Sequence, residues 1–255
     1  MGFDLEAARI TALPEDAFYI SDFITEDEER WLLQKVTSAP LPRWTQLSHR
    51  RLQTWPSALT QSNTLLASPL PAWLESPIIK PRFAELGIFK DAPHGAPNHV
   101  LVNEYRPGQG IMPHEDGAAY YPLVATVSLG APIVFDVYQK HTQGDGVDID
   151  TPAKAGSDVI GKPDVTRRPY YRILQERRSL LITRSKMYTD LLHGITETTR
   201  DEDLGPHSIC NWELLREKEP YQDGWYERET RTSLTYRDVL HVAKMGNTLK
   251  FLGVR

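Results

Sequence analysis

The chemistry open to this chain is set by His114 and Asp116, two positions apart in His114-Glu115-Asp116, and by His193 far downstream. Two imidazoles and one carboxylate on one side of a ferrous ion leave the opposite positions open for a cosubstrate and dioxygen. In an extended segment, residues i and i+2 project to the same side, so His114 and Asp116 can reach one ion while Glu115 points away. A lone His-x-Asp is common by chance, so its surroundings must carry the reading.

A second cluster lies in Arg231-Thr-Ser-Leu-Thr-Tyr-Arg237. As a strand it places Arg231, Ser233, Thr235 and Arg237 on one face and Thr232, Leu234 and Tyr236 on the other. A face with two arginines and two hydroxyls either meets water or lines a polar cavity that binds an anion. Guanidinium forks match carboxylates bidentately and keep their charge when buried. A dicarboxylate offers two such targets.

Stretches spread along the chain resemble the AlkB family of Fe(II)/2-oxoglutarate dioxygenases, and most closely its homologue-six branch. They are Pro42 to Trp55, Asn98-His-Val-Leu-Val-Asn-Glu-Tyr105, Gly110-Ile-Met-Pro-His-Glu-Asp-Gly117, Tyr120 to Gly130, Leu192-His-Gly-Ile195 and Arg231 to Arg237. The resemblance implies that His114, Asp116 and His193 ligate Fe(II). It implies that Asn103, Tyr105, Arg231, Ser233 and Arg237 hold 2-oxoglutarate, the arginines taking its carboxylates. Many AlkB relatives carry Asn where this chain has Ser233. The implied reaction consumes O2, converts 2-oxoglutarate to succinate and CO2, and hydroxylates a nearby carbon. On an N-methyl group the product sheds formaldehyde, which is net demethylation.

Residues 42 to 55 mix Trp44 and Trp55 with Arg43, Arg50 and Arg51, a combination able to stack on a base and meet flanking phosphates. The resemblance makes this region, about 42–60, a nucleotide-recognition lid, with Trp44, Arg50, Arg51 and Trp55 as substrate residues. Tyr120 and Tyr121 are candidate further walls. The expected substrate is RNA or single-stranded DNA, because the modified base must be exposed. The alternatives are a nucleic-acid-binding relative with little turnover and a protein hydroxylase. The remaining histidines, His49, His94, His99, His141, His207 and His241, are expected to be ordinary surface or partly buried residues.

The net charge of −5 over 255 residues announces no general nucleic-acid binder, so phosphate affinity must be local. A single cysteine, Cys210, excludes a disulfide framework within the chain and agrees with a reducing compartment. No apolar run approaches membrane-spanning length. A monomer in nucleus and cytoplasm is expected.

Elements must hold these groups in place. Thr25-Glu-Asp-Glu28 is a capping box that opens a helix carrying Trp31, Leu32 and Val36 before Pro40. Residues 70–87 read as a helix interrupted by Pro77 and Pro81 and stopped near Gly87. Short strands follow at 99–105, 123–129, 132–138, 179–183 and 231–240. This pattern predicts an α+β chain with a mainly β core, a double-stranded β-helix or jelly roll flanked by N-terminal helices. Residues 1–98 form its helical support and lid and 99–255 its dioxygenase core, most simply as one domain. Polar insertions are expected at about 140–178 and 196–230, where Trp212, Trp225 and Tyr226 tack part of the second one down.

Overall fold

The structure, a computed structural model, describes residues 4–13, 16–140 and 168–244. Its strands in chain order are β1 (Ala17–Ile20), β2 (Thr45–Gln46), β3 (Arg51–Trp55), β4 (Leu65–Leu66), β5 (His99–Tyr105), β6 (Ile111–His114), β7 (Leu123–Leu129), β8 (Ile133–Gln139), β9 (Tyr171–Gln175), β10 (Leu180–Arg184), β11 (Leu191–Ile195), β12 (Arg200–Glu202), β13 (Trp225–Glu227), β14 (Arg231–Arg237) and β15 (Val242–Ala243). A seven-stranded antiparallel sheet runs β1-β10-β7-β14-β5-β3-β2, and a four-stranded sheet runs β6-β11-β8-β9. Together they make the predicted jelly roll. The expected strands at 99–105 and 123–129 form at those residues, and the other three shift or shorten by a few positions.

Period-two alternation decides what each face of the large sheet meets. Val100, Val102, Ala125, Val127, Leu234 and Tyr236 join a core with Leu32 and Val36 of helix α1 (Glu26–Thr37) and with Leu74, Ile78 and Phe83 beyond it. The capping box forms as read: Thr25 accepts from the Glu28 amide, and Glu28 accepts from the Thr25 amide. Helical turns over 72–86 are interrupted at Ser76 and Lys80, both extended because a following proline disfavours the helical region. The segment ends at Gly87, whose φ of +63° is left-handed. Leu234 is fully buried in this core, so Leu234→Ala is expected to lower unfolding free energy by about 2–5 kcal/mol. Chemical denaturation of the folded variant measures it.

The expected insertion at 140–178 lies largely outside the described residues. The one at 196–230 is more than a polar loop. β12 pairs with β13, and Leu204, Ile209, Leu215 and Tyr221 are buried in a second core with Val134, Val137, Ile173 and Leu174. Arg228 and Asp201, both nearly inaccessible, pair through two hydrogen bonds of 2.8 and 2.6 Å. Trp212 and Tyr226 pack on this core as expected, whereas Trp225 is exposed, with Arg200 over its ring.

Candidate active site

β6 ends at His114 and β11 carries His193, and the antiparallel register sets these two residues directly opposite each other. Between His193 and Ile195 the register slips by one residue. That bulge places Met112 and Pro113 against Gly194, where proline's missing amide does no harm. A Cβ on Gly194 would stand 2.9 Å from the Ile111 carbonyl oxygen, so only glycine lets the strands approach this closely. The imidazole centroids are 4.4 Å apart. Asp116 follows just past the strand, its Oδ2 4.0 Å from His193 Nε2. One ligand atom from each of His114, Asp116 and His193 lies within 4.8 Å of the others. Glu115 turns outward to Lys140, 2.9 Å away.

The environment prepares both imidazoles as neutral donors. Burial pushes His193 down to about 4, and its ring stacks on Phe135 at 5.1 Å. Burial lowers His114 as well. His114 Nδ1 lies 2.9 Å from the Met112 carbonyl, an obligate acceptor, so the proton sits on Nδ1 and leaves Nε2 free.

Between the sheets lies a cavity of about 240 Å³. Its floor is the strand face predicted from alternation: Arg231, Ser233, Thr235 and Arg237 of β14 all line it, as do Leu101, Asn103 and Tyr105 of β5. β14 is central, paired to β5 and β7, so these arginines are interior. Arg231 is 2% exposed. Its Nε donates to Ser128 Oγ and its Nη2 to Gln175 Oε1, both at 3.0 Å, and no carboxylate pairs with it among the described residues. Desolvation holds it down to about 10. Arg237 donates through Nη2 to Asp116, while its Nε is buried without a partner. Burial raises the Tyr105 phenol, which therefore stays a donor. Three guanidiniums, from Arg50, Arg231 and Arg237, line the cavity against the single carboxylate of Asp116.

The residues expected to face substrate divide. Arg50 and Tyr120 line the cavity, and Arg50 Nε donates to Asn103 Oδ1 at 3.3 Å. Trp44, Arg51, Trp55 and Tyr121 do not line it, so of the two tyrosines expected as walls only Tyr120 is one. β3 pairs with β5, Arg51 opposite Glu104 and Trp55 opposite Val100. Alternation therefore sends Arg50 and Leu52 inward and Arg51, Gln53 and Trp55 to the other face. There Arg51 forms a bidentate pair with Glu104 at 2.8 and 2.6 Å and covers the Trp44 ring at 4.0 Å. Trp55 meets Trp73 edge-on at 5.7 Å, with Arg43 over it at 4.0 Å, and Tyr121 packs against the main core.

Residues 16–237 match the family described as the 2OG-Fe(II) oxygenase superfamily. The chain belongs to this superfamily. Within it the chain is of AlkB type. It is 39% identical over 250 residues to the probable RNA/DNA demethylase ALKBH6 of Danio rerio, covering 98% of this chain and 95% of that one. It is 27% identical over 245 residues to the tRNA (carboxymethyluridine(34)-5-O)-methyltransferase alkbh8 of Xenopus tropicalis, covering 90% of this chain and 32% of that one. The structure of OsALKBH1 shares the fold, with a TM-score of 0.51 at 13% identity, over 89% of this chain and 98% of that one.

A 2OG-Fe(II) oxygenase takes Fe(II), 2-oxoglutarate and O2, and the cavity suits them. A His-Asp-His donor set fits Fe(II). A buried guanidinium with no carboxylate partner and a second with an orphaned Nε fit a dicarboxylate. His114, Asp116 and His193 would hold the metal. Arg231 and Arg237 would hold the cosubstrate carboxylates, with Asn103, Tyr105 and Ser233 around them. Ser128 and Gln175, which brace Arg231, and Phe135, which covers His193, went unread in the sequence. Ser128 sits in the alternation of β7, but nothing local marks Gln175.

Proposed function

We propose that this oxygenase removes an alkyl group, a methyl in the simplest case, from a base in RNA or single-stranded DNA. The reading rests above all on the 39% identity, over nearly the whole of both chains, to the Danio rerio probable RNA/DNA demethylase. The cavity adds support, because its floor carries the groups that would hold Fe(II) and 2-oxoglutarate while Arg50 and Tyr120 remain for a substrate at its wall.

When bound, Fe(II) with 2-oxoglutarate supplies the oxidising power that places an oxygen atom from O2 on a substrate carbon, with succinate and CO2 as co-products. The chain's residues position and exclude. Arg231 anchors one carboxylate through a guanidinium that Ser128 and Gln175 keep from turning. Arg237 offers its free Nε while its Nη2 orients Asp116. Leu52, Leu101, Leu181 and Phe135 keep water from the reacting carbon. The hydroxylated N-alkyl group then breaks down to an aldehyde and the unmodified base. The enzyme acts as a monomer in nucleus and cytoplasm, and no described helix is long and apolar enough to cross a membrane.

Mass spectrometry of methylated oligonucleotides and peptides incubated with Fe(II), 2-oxoglutarate and O2 tests the substrate class. Demethylated oligonucleotide with stoichiometric succinate is expected. Hydroxylated peptide would replace the proposal with a protein hydroxylase, and oligonucleotide binding without product would replace it with a binding protein. Arg50, the one lid arginine turned into the cavity, should carry a phosphate contact. Arg50→Ala is expected to weaken oligonucleotide binding and reduce its salt slope by about one. Titrations across a salt series check this, and an unchanged slope would remove Arg50 from the interface.

A further inference from the structure

His99 was expected to be an ordinary histidine, yet it is 2% exposed and opens β5 directly opposite Arg237 of β14. Its Nε2 lies 3.1 Å from the Ser57 carbonyl oxygen. A carbonyl only accepts, so Nε2 carries the ring proton. Burial, with the nearby Arg237 charge adding to it, pushes the ring down to about 4, so it is neutral near pH 7 and Nδ1 is left as an acceptor. The hydroxyl 3.4 Å from Nδ1 is that of Tyr120, which must therefore donate. Tyr120 in turn lies beside Arg237, whose guanidinium carbon is 5.0 Å from the phenol ring centroid. The line runs from the Ser57 carbonyl through His99 and Tyr120 to Arg237.

We propose that His99 is a positioning residue of the cosubstrate site, acting through Tyr120 to hold in place the Arg237 guanidinium that lines the cavity. Three constraints then act on one guanidinium. Asp116 takes Nη2, the Tyr120 ring covers the group from the side, and the strand pairing fixes its stem. What is left unpartnered is Nε, the donor a carboxylate needs. Without an acceptor at Nδ1, the Tyr120 hydroxyl would turn to other partners and the ring would lose its set position. The inference rests on the reading that Arg237 binds 2-oxoglutarate.

A double-mutant cycle tests it, with 2-oxoglutarate affinity measured by anaerobic calorimetry on protein loaded with Mn(II), so that the readout does not depend on turnover. His99→Gln keeps a donor for the Ser57 carbonyl at the position of Nε2 and removes the Nδ1 acceptor. Tyr120→Phe removes the hydroxyl from a residue that is only partly buried, so this arm stands even if His99→Gln folds poorly. Each is expected to weaken 2-oxoglutarate binding about tenfold, the lower range for a partner that orients a ligand-holding group. Because both break one line, the double variant should also lose about tenfold. A loss near a hundredfold, the product of independent effects, would overturn the proposal, as would unchanged affinity in Tyr120→Phe. Arg237→Gln separates the two readings. If it leaves affinity intact, the cosubstrate role of Arg237 fails. If it weakens binding while Tyr120→Phe does not, only the positioning role of His99 fails.

Discussion

Asp116→Ala is expected to abolish 2-oxoglutarate decarboxylation, and His114→Ala and His193→Ala to do the same, with the protein still folding cooperatively. The expectation follows from how the three side chains are held. His114 and His193 face each other across paired strands, and Asp116 lies within ligand distance of both. Removing one donor leaves two, too few to retain Fe(II) against water. Strand pairing is carried by backbone groups and by cores on the sheets' other faces, so these truncations should cost little stability. Asp116→Ala also leaves Arg237 Nη2 without its carboxylate. It should therefore weaken anaerobic 2-oxoglutarate binding in a way that His193→Ala does not. Succinate measurement with thermal unfolding of each variant checks both parts. Wild-type turnover in any of the three would end the iron assignment.

Arg231→Lys should weaken 2-oxoglutarate binding by about 10- to 100-fold, the equivalent of losing a charge-assisted hydrogen bond worth roughly 1.5–3 kcal/mol. The guanidinium is gripped by Ser128 and Gln175, and an ammonium cannot satisfy both acceptors and still present a flat fork to a carboxylate. Charge adds to the effect. Burial already holds Arg231 down to about 10. A lysine starts from a lower intrinsic value of about 10.4, so the same desolvation would bring its titration toward neutrality. The charged form is the one that binds. Affinity of the variant should therefore fall as pH rises from 6 to 9, while that of the parent should not fall through Arg231. Anaerobic calorimetry over this range decides it, and equal affinity would place Arg231 outside the cosubstrate site.

Much of the site was legible because it obeys short periods. His114 and Asp116 are two apart around an outward Glu115, and Arg231 to Arg237 alternate strictly between cavity and core. The capping box at Thr25 and the prolines within 70–87 act through their nearest neighbours, and they formed as read. How the lid residues divide between two faces was not legible, for an equally local reason. Composition put Trp44, Arg50, Arg51 and Trp55 together, but a strand divides neighbours between two faces, and the register on β5 sends only Arg50 to the cavity.

By itself, then, the sequence determined which groups exist to bind iron and a dicarboxylate, which strand faces they share and where α1 begins, since each depends on residues a few positions apart. Only the tertiary structure decided that β14 is central rather than an edge, which turns two arginines from solvated charges into buried groups lining one cavity. It alone brought Gln175 to Arg231 and set His99 beside Tyr120 and Arg237. Those contacts join residues far apart in the chain. Their geometry comes from strand order and register, which follow from packing the whole chain rather than from the residues on either side.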